Sequence, residues 1–321
     1  MPYYPERRPD PYAEEQKRIE EAAAKNKRRR LALVVLFALI IVYSMIRLIA
    51  YGAEYFASRE TSQSLYELYE EPTEVIAAVP TAAPTAVPVT AVPMQAMSTP
   101  EPEPTQSVYL PPVPYPDNPD LKMSERFRKL KKKSSAIIGW LSMDQVEEAV
   151  GLKDNSYFLT HDIYGKRNSN GAIFTDSSIN LLTRPYTVYL FGHNMKSGNM
   201  FGRLRKYKES AYYYKHRIIT FDSEYEDGKY AVFAVAEINT EPGNSNYYNL
   251  WALDSNRADE REEAMKQLLA RSFHANMLDV QPDEQLLILV TCDKKETDRL
   301  VVAARRLRDG ESENNLTLPR Y

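Results

Sequence analysis

The chain has 321 residues, a formal net charge of −3 and a single cysteine. This length accommodates one or two domains, and one cysteine excludes an intrachain disulfide. Residues 121–321 are close to neutral, with a net charge of +2, which argues against a nucleic-acid-binding surface.

An uncharged run of sixteen residues, LALVVLFALIIVYSMI, begins at residue 31, and the apolar character continues past Arg47 to residue 50. Twenty helical residues rise about 30 Å, the thickness of the bilayer core. Residues 31–50 therefore predict a transmembrane helix, with a cleaved signal peptide as the alternative. Residues 1–30 carry a net charge of +3 and residues 51–120 a net charge of −9. The positive-inside rule then predicts a basic cytoplasmic N-terminus and an extracellular remainder.

The next two segments lead away from the predicted membrane span. Residues 51–71 form a juxtamembrane segment in which the helix is expected to continue for a few turns. Residues 72–119 hold thirteen of the 21 prolines, and because proline supplies no amide donor, a linker without a sheet or a long helix is expected. In the polyproline II conformation this linker would span about 150 Å at 3.1 Å per residue. It predicts a tether for a catalytic head working away from the membrane, or a plain spacer.

Residues 120–307 are predicted to form the catalytic domain. The basic stretch 121–133 has a helical pattern, and residues 258–274 read as one strong helix with apolar residues at helical spacing and acids in the first turn. Segments rich in β-branched and aromatic residues predict strands at 187–191, 217–221, 229–238, 285–291 and 300–304. Many strands and few helices indicate a mostly-β barrel or sandwich, and residues 308–321 are expected to be a frayed tail.

The lone cysteine, Cys292, follows the apolar run 285–291, and Arg299 begins the next predicted strand after a short polar loop. If the two strands pair as a hairpin, the loop brings the two residues to neighbouring positions at one end of the sheet. A guanidinium beside a thiol lowers the thiol pKa and offers donors to an oxyanion. The alternative is a core cysteine, with Arg299 paired at the surface with Asp298 or Glu296.

A thiol nucleophile needs a proton carrier, usually a histidine. Of the four histidines, His193 is the candidate, because it lies in FGHNM at 191–195, directly after an apolar strand. His161, His216 and His274 are expected to be structural or solvated. No cysteine and histidine cluster has metal-ligand spacing and no glycine-rich phosphate loop occurs, so neither metal nor cofactor is expected.

Three of these features, in this order along the chain, resemble a known family. LVTC at 289–292 resembles the Leu-x-Thr-Cys signature of sortases, and Arg299 stands where the family places its arginine. FGHNM resembles the class B histidine segment, as DNSYFL at 154–159 and GAIFTD at 171–176 resemble other class B segments. The predicted helix 258–274 is similar to the helix that class B carries between two late strands.

The resemblance covers roughly residues 135–307 and implies a closed eight-stranded β-barrel with added helices, preceded here by one transmembrane helix. It implies a cysteine transpeptidase that cleaves a C-terminal sorting pentapeptide of secreted proteins. Cys292 would attack the threonine carbonyl, His193 would be the acid and base, and Arg299 would stabilise the oxyanion. The hydroxyl of Thr291 is expected to hydrogen-bond the bound peptide.

The same resemblance implies the partners and the location of the chain. The thioacyl enzyme would be resolved by an amine of a peptidoglycan precursor or by a pilin lysine, at the cell membrane of a Gram-positive bacterium. The expected arrangement is single-pass, with the catalytic domain outside and no nucleic acid involved. Two alternatives are a cell-wall cysteine peptidase or amidase, and a non-catalytic surface-binding module with an unreactive Cys292.

Overall fold

A computed structural model of the chain describes residues 11–70, 109–111, 115–275, 278–292 and 297–316, with Cys292 described by its backbone. The chain divides into two compact units, Met1–Ala57 and Ser58–Tyr321. The second unit contains the β-sheet.

Eight strands close into one barrel. They are β1 (Ile137–Met143), β2 (Val146–Gly151), β3 (Ile173–Thr175), β4 (Thr187–Gly192), β5 (Ile218–Ser223), β6 (Lys229–Asn239), β7 (Leu286–Cys292) and β8 (Asp298–Arg306). Their order around the barrel is β1-β2-β3-β4-β7-β8-β6-β5. The pairs β2–β3 and β4–β7 are parallel and the others antiparallel. The predicted mostly-β barrel is confirmed.

Strands β4 and β7 are buried on both faces, which explains their nearly continuous apolar sequences. Val188 and Leu190 face the barrel interior with Leu287 and Leu289. The alternate residues, Tyr189 among them, pack outside the barrel beneath a helical layer. The outer face of β4 is therefore a covered surface on which a site can be built.

The helices are α1 (Pro11–Glu70), α2 (Glu125–Lys133), α3 (Ser210–Lys215) and α4 (Ala258–Leu269), with 3₁₀ helices at Tyr157–Leu159, Phe201–Lys208 and Leu250–Asp254. Among the described residues, α1 is the one helix long and apolar enough to cross a membrane, with a mean hydropathy of 2.6 in its most apolar window. It contains the predicted span 31–50, which is a candidate by length and composition.

The predicted helix 258–274 is too long, because α4 ends at Leu269. The chain then turns back onto β6, where the Phe273 amide donates to the carbonyl of Val235 (2.8 Å). His274 is consequently buried beyond the helix, and its Nε2–H donates to the carbonyl of Tyr207 (2.6 Å).

The frayed tail is also contradicted for its first residues. Arg305 of β8 is fully buried, and both of its terminal nitrogens donate to the carboxylate of Glu311 (2.7 and 2.8 Å). Arg308 donates to Glu284 (2.6 Å). A buried guanidinium must be paired, so residues 308–311 belong to the domain. Residues 317–321 lie outside the described residues.

The last part of α1, residues 58–70, packs on the barrel within the second unit and is called the docked segment. Leu65 is 1 % exposed, and Tyr69 stacks on Trp140 with ring centroids 4.7 Å apart. The hydroxyl of Tyr69 donates to Asp222. At the other end, Ser58 Oγ accepts two hydrogen bonds from buried asparagine amides of the 159–172 loop (both 3.0 Å).

From residue 109 the described chain again contacts the second unit. The Leu110 amide donates to the carbonyl of Asn256 (2.8 Å), and the buried Tyr115 donates its hydroxyl hydrogen to the carbonyl of Leu181 (2.9 Å). Most of the predicted linker, up to residue 108, and residues 112–114 lie outside the described residues. The linker therefore connects two parts of one unit, where the sequence predicted a tether leading to the domain.

A half-buried carboxyl beneath the docked segment makes the stability of this contact depend on pH. Ser62 Oγ donates to Glu148 of β2 (2.7 Å), and burial raises the pKa of Glu148 from 4.5 to about 7, against the opposing effect of that bond. A raised carboxyl pKa means that the folded state holds a proton that the unfolded state releases. The resulting stability is complete below about pH 4.5 and is lost as the pH rises through about 7.

We expect Glu148→Gln to remove this dependence, because glutamine keeps the shape and an acceptor without titrating. The wild-type protein should lose on the order of 2 kcal/mol more unfolding free energy between pH 5 and pH 8 than the variant. Denaturant unfolding of both full-length proteins in detergent at the two pH values measures the difference. Parallel losses in the two proteins would show that Glu148 is not the titrating group.

Candidate active site

The strand register brings the predicted catalytic residues to one end of the barrel. In the parallel β4–β7 pair, Gly192 stands opposite Thr291. The next residue after Gly192 is His193 and the next after Thr291 is Cys292, so these two residues come at the same end of neighbouring strands. On the other side of β7, Cys292 pairs directly with Arg299 of β8. The predicted hairpin is confirmed, and the backbone of Cys292 lies between the strands that carry His193 and Arg299.

The ring of His193 is held by a backbone carbonyl. Its Nε2 lies 2.7 Å from the carbonyl oxygen of Leu159, and since a carbonyl can only accept, Nε2 carries a proton. The neutral ring then has its lone pair on Nδ1, as the partner of one ring nitrogen determines the state of the other. The His193 carbonyl accepts from the amides of Met195 and Phe201 (both 3.0 Å), which holds the loop after β4.

Gly171, the first residue of GAIFTD, allows this arrangement. It has φ +64°, and a Cβ there would lie 2.2 Å from the carbonyl oxygen of Phe158 and 3.3 Å from His193 Cδ2. Phe158 is the residue directly before Leu159, and the carbonyl of Leu159 binds the imidazole of His193. A side chain at residue 171 would therefore displace the turn that orients His193.

We expect Gly171→Ala to reduce kcat about 10–100-fold, because displacement of a catalytic group by about 1 Å is costly. Thermal stability should fall as well, since the backbone conformation favours glycine. A peptide cleavage assay and a melting curve measure the two effects.

The matched control is Gly243→Ala. Gly243 also has positive φ (+93°), but nothing lies within 4 Å of its virtual Cβ. This control carries the backbone strain alone, about 1–3 kcal/mol, and should keep normal kcat. Equal losses of kcat in both variants would contradict a positioning role for Gly171.

Arg299 and Thr291 line a cavity that His193 also lines. Arg299 is half-buried, and its Nη1 donates to the backbone carbonyl of Asp298 (3.0 Å). The carboxylate of Asp298 accepts instead from Asn239 Nδ2 (2.6 Å). Thr291 is 1 % exposed. The guanidinium is thus placed beside the strand end that carries Cys292.

The cavity has a volume of about 220 Å³, and its walls include the aromatic rings of Phe174, Phe191 and Trp251. Phe191 on the outer face of β4 stacks with Phe174 (5.6 Å between ring centroids), and Trp251 closes the opposite side, 4.8 Å from Tyr189. Trp251 is 51 % exposed. Asn155 and Leu159 from DNSYFL, and Phe174 and Asp176 from GAIFTD, complete the wall on the β2–β4 side.

Some of these contributors were missed by sequence reasoning. Trp251 comes from the connection between β6 and β7, and nothing in its local sequence points to the site. The carbonyl of Leu159 is a backbone group, which no residue pattern reveals. Gly171 was noted only as part of a resembling segment.

The other three histidines, which were expected to be structural or solvated, each have local partners. His161 stacks on Tyr157 (4.2 Å between ring centroids), His216 packs against Tyr212 with the rings tilted (4.2 Å), and His274 is buried. Within the described residues, no group of three or more His, Cys, Asp or Glu side chains has the arrangement of a metal site.

Sequence comparison agrees with this geometry. The model of the sortase domain matches residues 154–307. Sortase B of Listeria monocytogenes is 26 % identical over 191 residues, which cover 57 % of this chain and 75 % of that protein. Sortase B of Staphylococcus aureus is 24 % identical over 189 residues, with the same two shares.

The fold is similar as well. A crystal structure of sortase B from Bacillus anthracis superposes with a TM-score of 0.58 at 21 % identity, covering 80 % of this chain and 99 % of that chain. The matched residues 154–307 contain strands β3 to β8 of the barrel and all three residues gathered at its end. Residues 154–307 therefore form a domain of the sortase family of cysteine transpeptidases, and the relatives that the chain matches are class B sortases.

Proposed function

We propose that this transpeptidase cleaves a C-terminal sorting motif of secreted proteins and joins the new carboxyl end to an amine, with Cys292 as nucleophile, His193 as acid and base, and Arg299 as oxyanion stabiliser. The acceptor is an amine of a peptidoglycan precursor or a lysine of a pilin. The observation that carries the proposal is the register, which puts Cys292 between the strands of the other two residues.

In the first half-reaction the Cys292 thiolate attacks the carbonyl carbon of the threonine in the motif. Arg299 donates hydrogen bonds to the oxyanion that forms. The imidazolium of His193 keeps its Nε2–H on the Leu159 carbonyl and gives the Nδ1 proton to the leaving amine. The C–N bond breaks, and a thioester on Cys292 remains.

In the second half-reaction the acceptor amine attacks the thioester carbonyl. His193 Nδ1 now takes the proton from the incoming amine, the C–S bond breaks and the thiolate returns. Thr291 lines the cavity beside Cys292, and we propose that its hydroxyl bonds the acyl peptide.

The test uses the full-length protein in detergent with a peptide library. The peptides have a fixed threonine, three random residues before it and one after it, and triglycine or a lysine peptide serves as the amine. Mass spectrometry should show amide adducts formed after threonine, and a thioacyl adduct on the protein that Cys292→Ala lacks.

The alternatives give different products in the same assay. A cell-wall cysteine peptidase or amidase would give only the free acid. A non-catalytic surface-binding module would give neither the amide adduct nor the free acid. Either result would overturn the proposal.

We also propose that residues 31–50 of α1 anchor the chain in the cell membrane with the N-terminus inside. The charge contrast across this segment, +3 before it and −9 after it, supports that orientation. Protease added to wall-stripped cells is expected to digest residues 121–321 and spare an N-terminal tag. Protection of the C-terminal residues would reverse the orientation.

A further inference from the structure

A second cavity adjoins the first on the outer face of β4. It has a volume of about 440 Å³ and shares Asp176 and Trp251 with the catalytic cavity. From there it extends to Thr187, the first residue of β4. Thr187 and Gly192 are five residue steps apart along the strand, a distance of about 16 Å at 3.3 Å per residue. We call this second cavity the distal groove.

The position of the distal groove indicates which part of a substrate it can hold. Its far end lies at the opposite end of β4 from His193, too far for an amine that reacts at Cys292. The acyl segment, in contrast, stays bound through both half-reactions and must extend away from Cys292. A chain that fills the catalytic cavity and continues past Trp251 enters the groove.

The charges of the groove favour a cation. Asp176 and Asp254 contribute carboxylates from its two walls. Among the described residues that line it, the one cation is Arg184, which is paired with Glu226 (3.0 Å). Beneath it, the fully buried Arg261 donates to carbonyl oxygens and to the Thr187 hydroxyl.

Two further features of the groove suit a basic side chain. Thr175 lines it and is 1 % exposed, and its Oγ1 has no hydrogen-bond partner within the part of the chain that the structure describes. The exposed ring of Trp251 offers an aromatic face, on which a lysine or arginine can lie.

We propose that the distal groove binds the stretch of the donor protein immediately N-terminal to the sorting motif and selects a lysine or arginine there. The inference rests on the proposed function. It adds a substrate preference outside the pentapeptide, with Asp254 as a specificity-determining residue.

The experiment begins with the best motif from the peptide library. Three peptides carry this motif with Lys, Ala or Glu at the three positions before it, and kcat/KM is measured with the full-length protein in detergent. We expect Lys to exceed Ala by about fivefold and Glu to fall below Ala, the range that partly exposed ion pairs provide. The advantage of Lys should shrink in 0.5 M salt because exposed charges are screened.

Asp254→Lys should reverse the order, so that the Glu peptide becomes the best of the three. Glu262→Lys is the matched control, since Glu262 lies on α4, where it pairs with Lys266 (2.7 Å), and changes the net charge equally. This control should keep the wild-type order.

The failures of the two proposals are distinguishable. Equal kcat/KM for the three peptides, with the motif still turned over, would overturn the groove inference and leave the proposed function intact. A change in acceptor KM but not in donor preference in Asp254→Lys would assign the groove to the acceptor and also overturn it. Absence of turnover with every peptide would overturn the proposed function and the inference with it.

Discussion

Replacing His193 by glutamine is expected to lower the kcat of transpeptidation about 10²–10⁴-fold, the range that a positioned acid and base contributes. A glutamine amide can still donate to the Leu159 carbonyl that holds the imidazole (2.7 Å from Nε2). It has no group that can carry a proton to the leaving amine. The variant should therefore fold and bind peptide normally while the chemical steps fail. Single-turnover formation of the thioacyl adduct measures the first step directly.

The matched control is His216→Gln. His216 lies at the end of α3 and packs against Tyr212 (4.2 Å between ring centroids), away from the cavity. This substitution makes the same chemical change and should leave kcat near normal. If the His193 variant kept wild-type turnover, another group would have to be the proton carrier.

Arg299→Lys is expected to reduce kcat about 10²–10³-fold, the effect of losing one aligned oxyanion donor. Arginine presents a planar fork of donors at fixed spacing, whereas lysine offers one compact charge on a flexible stem. The β7–β8 register places this residue directly opposite Cys292. If Arg299 served only a surface ion pair, lysine would replace it with a loss of ~0–1 kcal/mol. The two roles therefore predict turnover rates that differ by orders of magnitude.

Arg306→Lys on the same strand is the control for Arg299. Arg306 binds the carbonyl of Asp227 and the carboxylate of Glu226 at the opposite end of β8. Its replacement should keep normal turnover, and both variants should melt close to the wild-type temperature. Normal turnover in Arg299→Lys would reduce Arg299 to a structural residue and leave the proposed roles of His193 and Cys292 unchanged.

The strands that carry the site were predictable because their sequences are simple. β4 and β7 are apolar on both faces, and the short polar loop after Cys292 leads directly into β8. That pattern predicted the hairpin and the neighbouring positions of Cys292 and Arg299. The approach of His193 depends on the parallel pairing of β4 with β7, which joins segments about 100 residues apart. Only the family resemblance predicted that His193 lies near Cys292.

Strands β2 and β3 had no comparable signal. β2 reads VEEAVG, and its two glutamates are acceptable in a half-buried strand only because partners come from elsewhere in the chain. Glu147 accepts from the indole N–H of Trp140 (3.0 Å), and Glu148 from the hydroxyl of Ser62. β3 has three residues, too few to show the alternation of apolar and polar side chains that is typical of a strand. Tertiary contacts therefore decided what local propensity could not.

Because of the docked segment, the proline-rich stretch connects two parts of the same folded unit. Since residues 58–70 and Leu110 both belong to one unit, a single cut between them would interrupt the chain without detaching the barrel from its own docked segment. Halving the length of this connection would change its closure entropy by only about 0.6 kcal/mol. Its length and composition are thus free to vary, whereas a shortened protein that begins at residue 120 would lose the ring of Tyr69 and leave Trp140 uncovered.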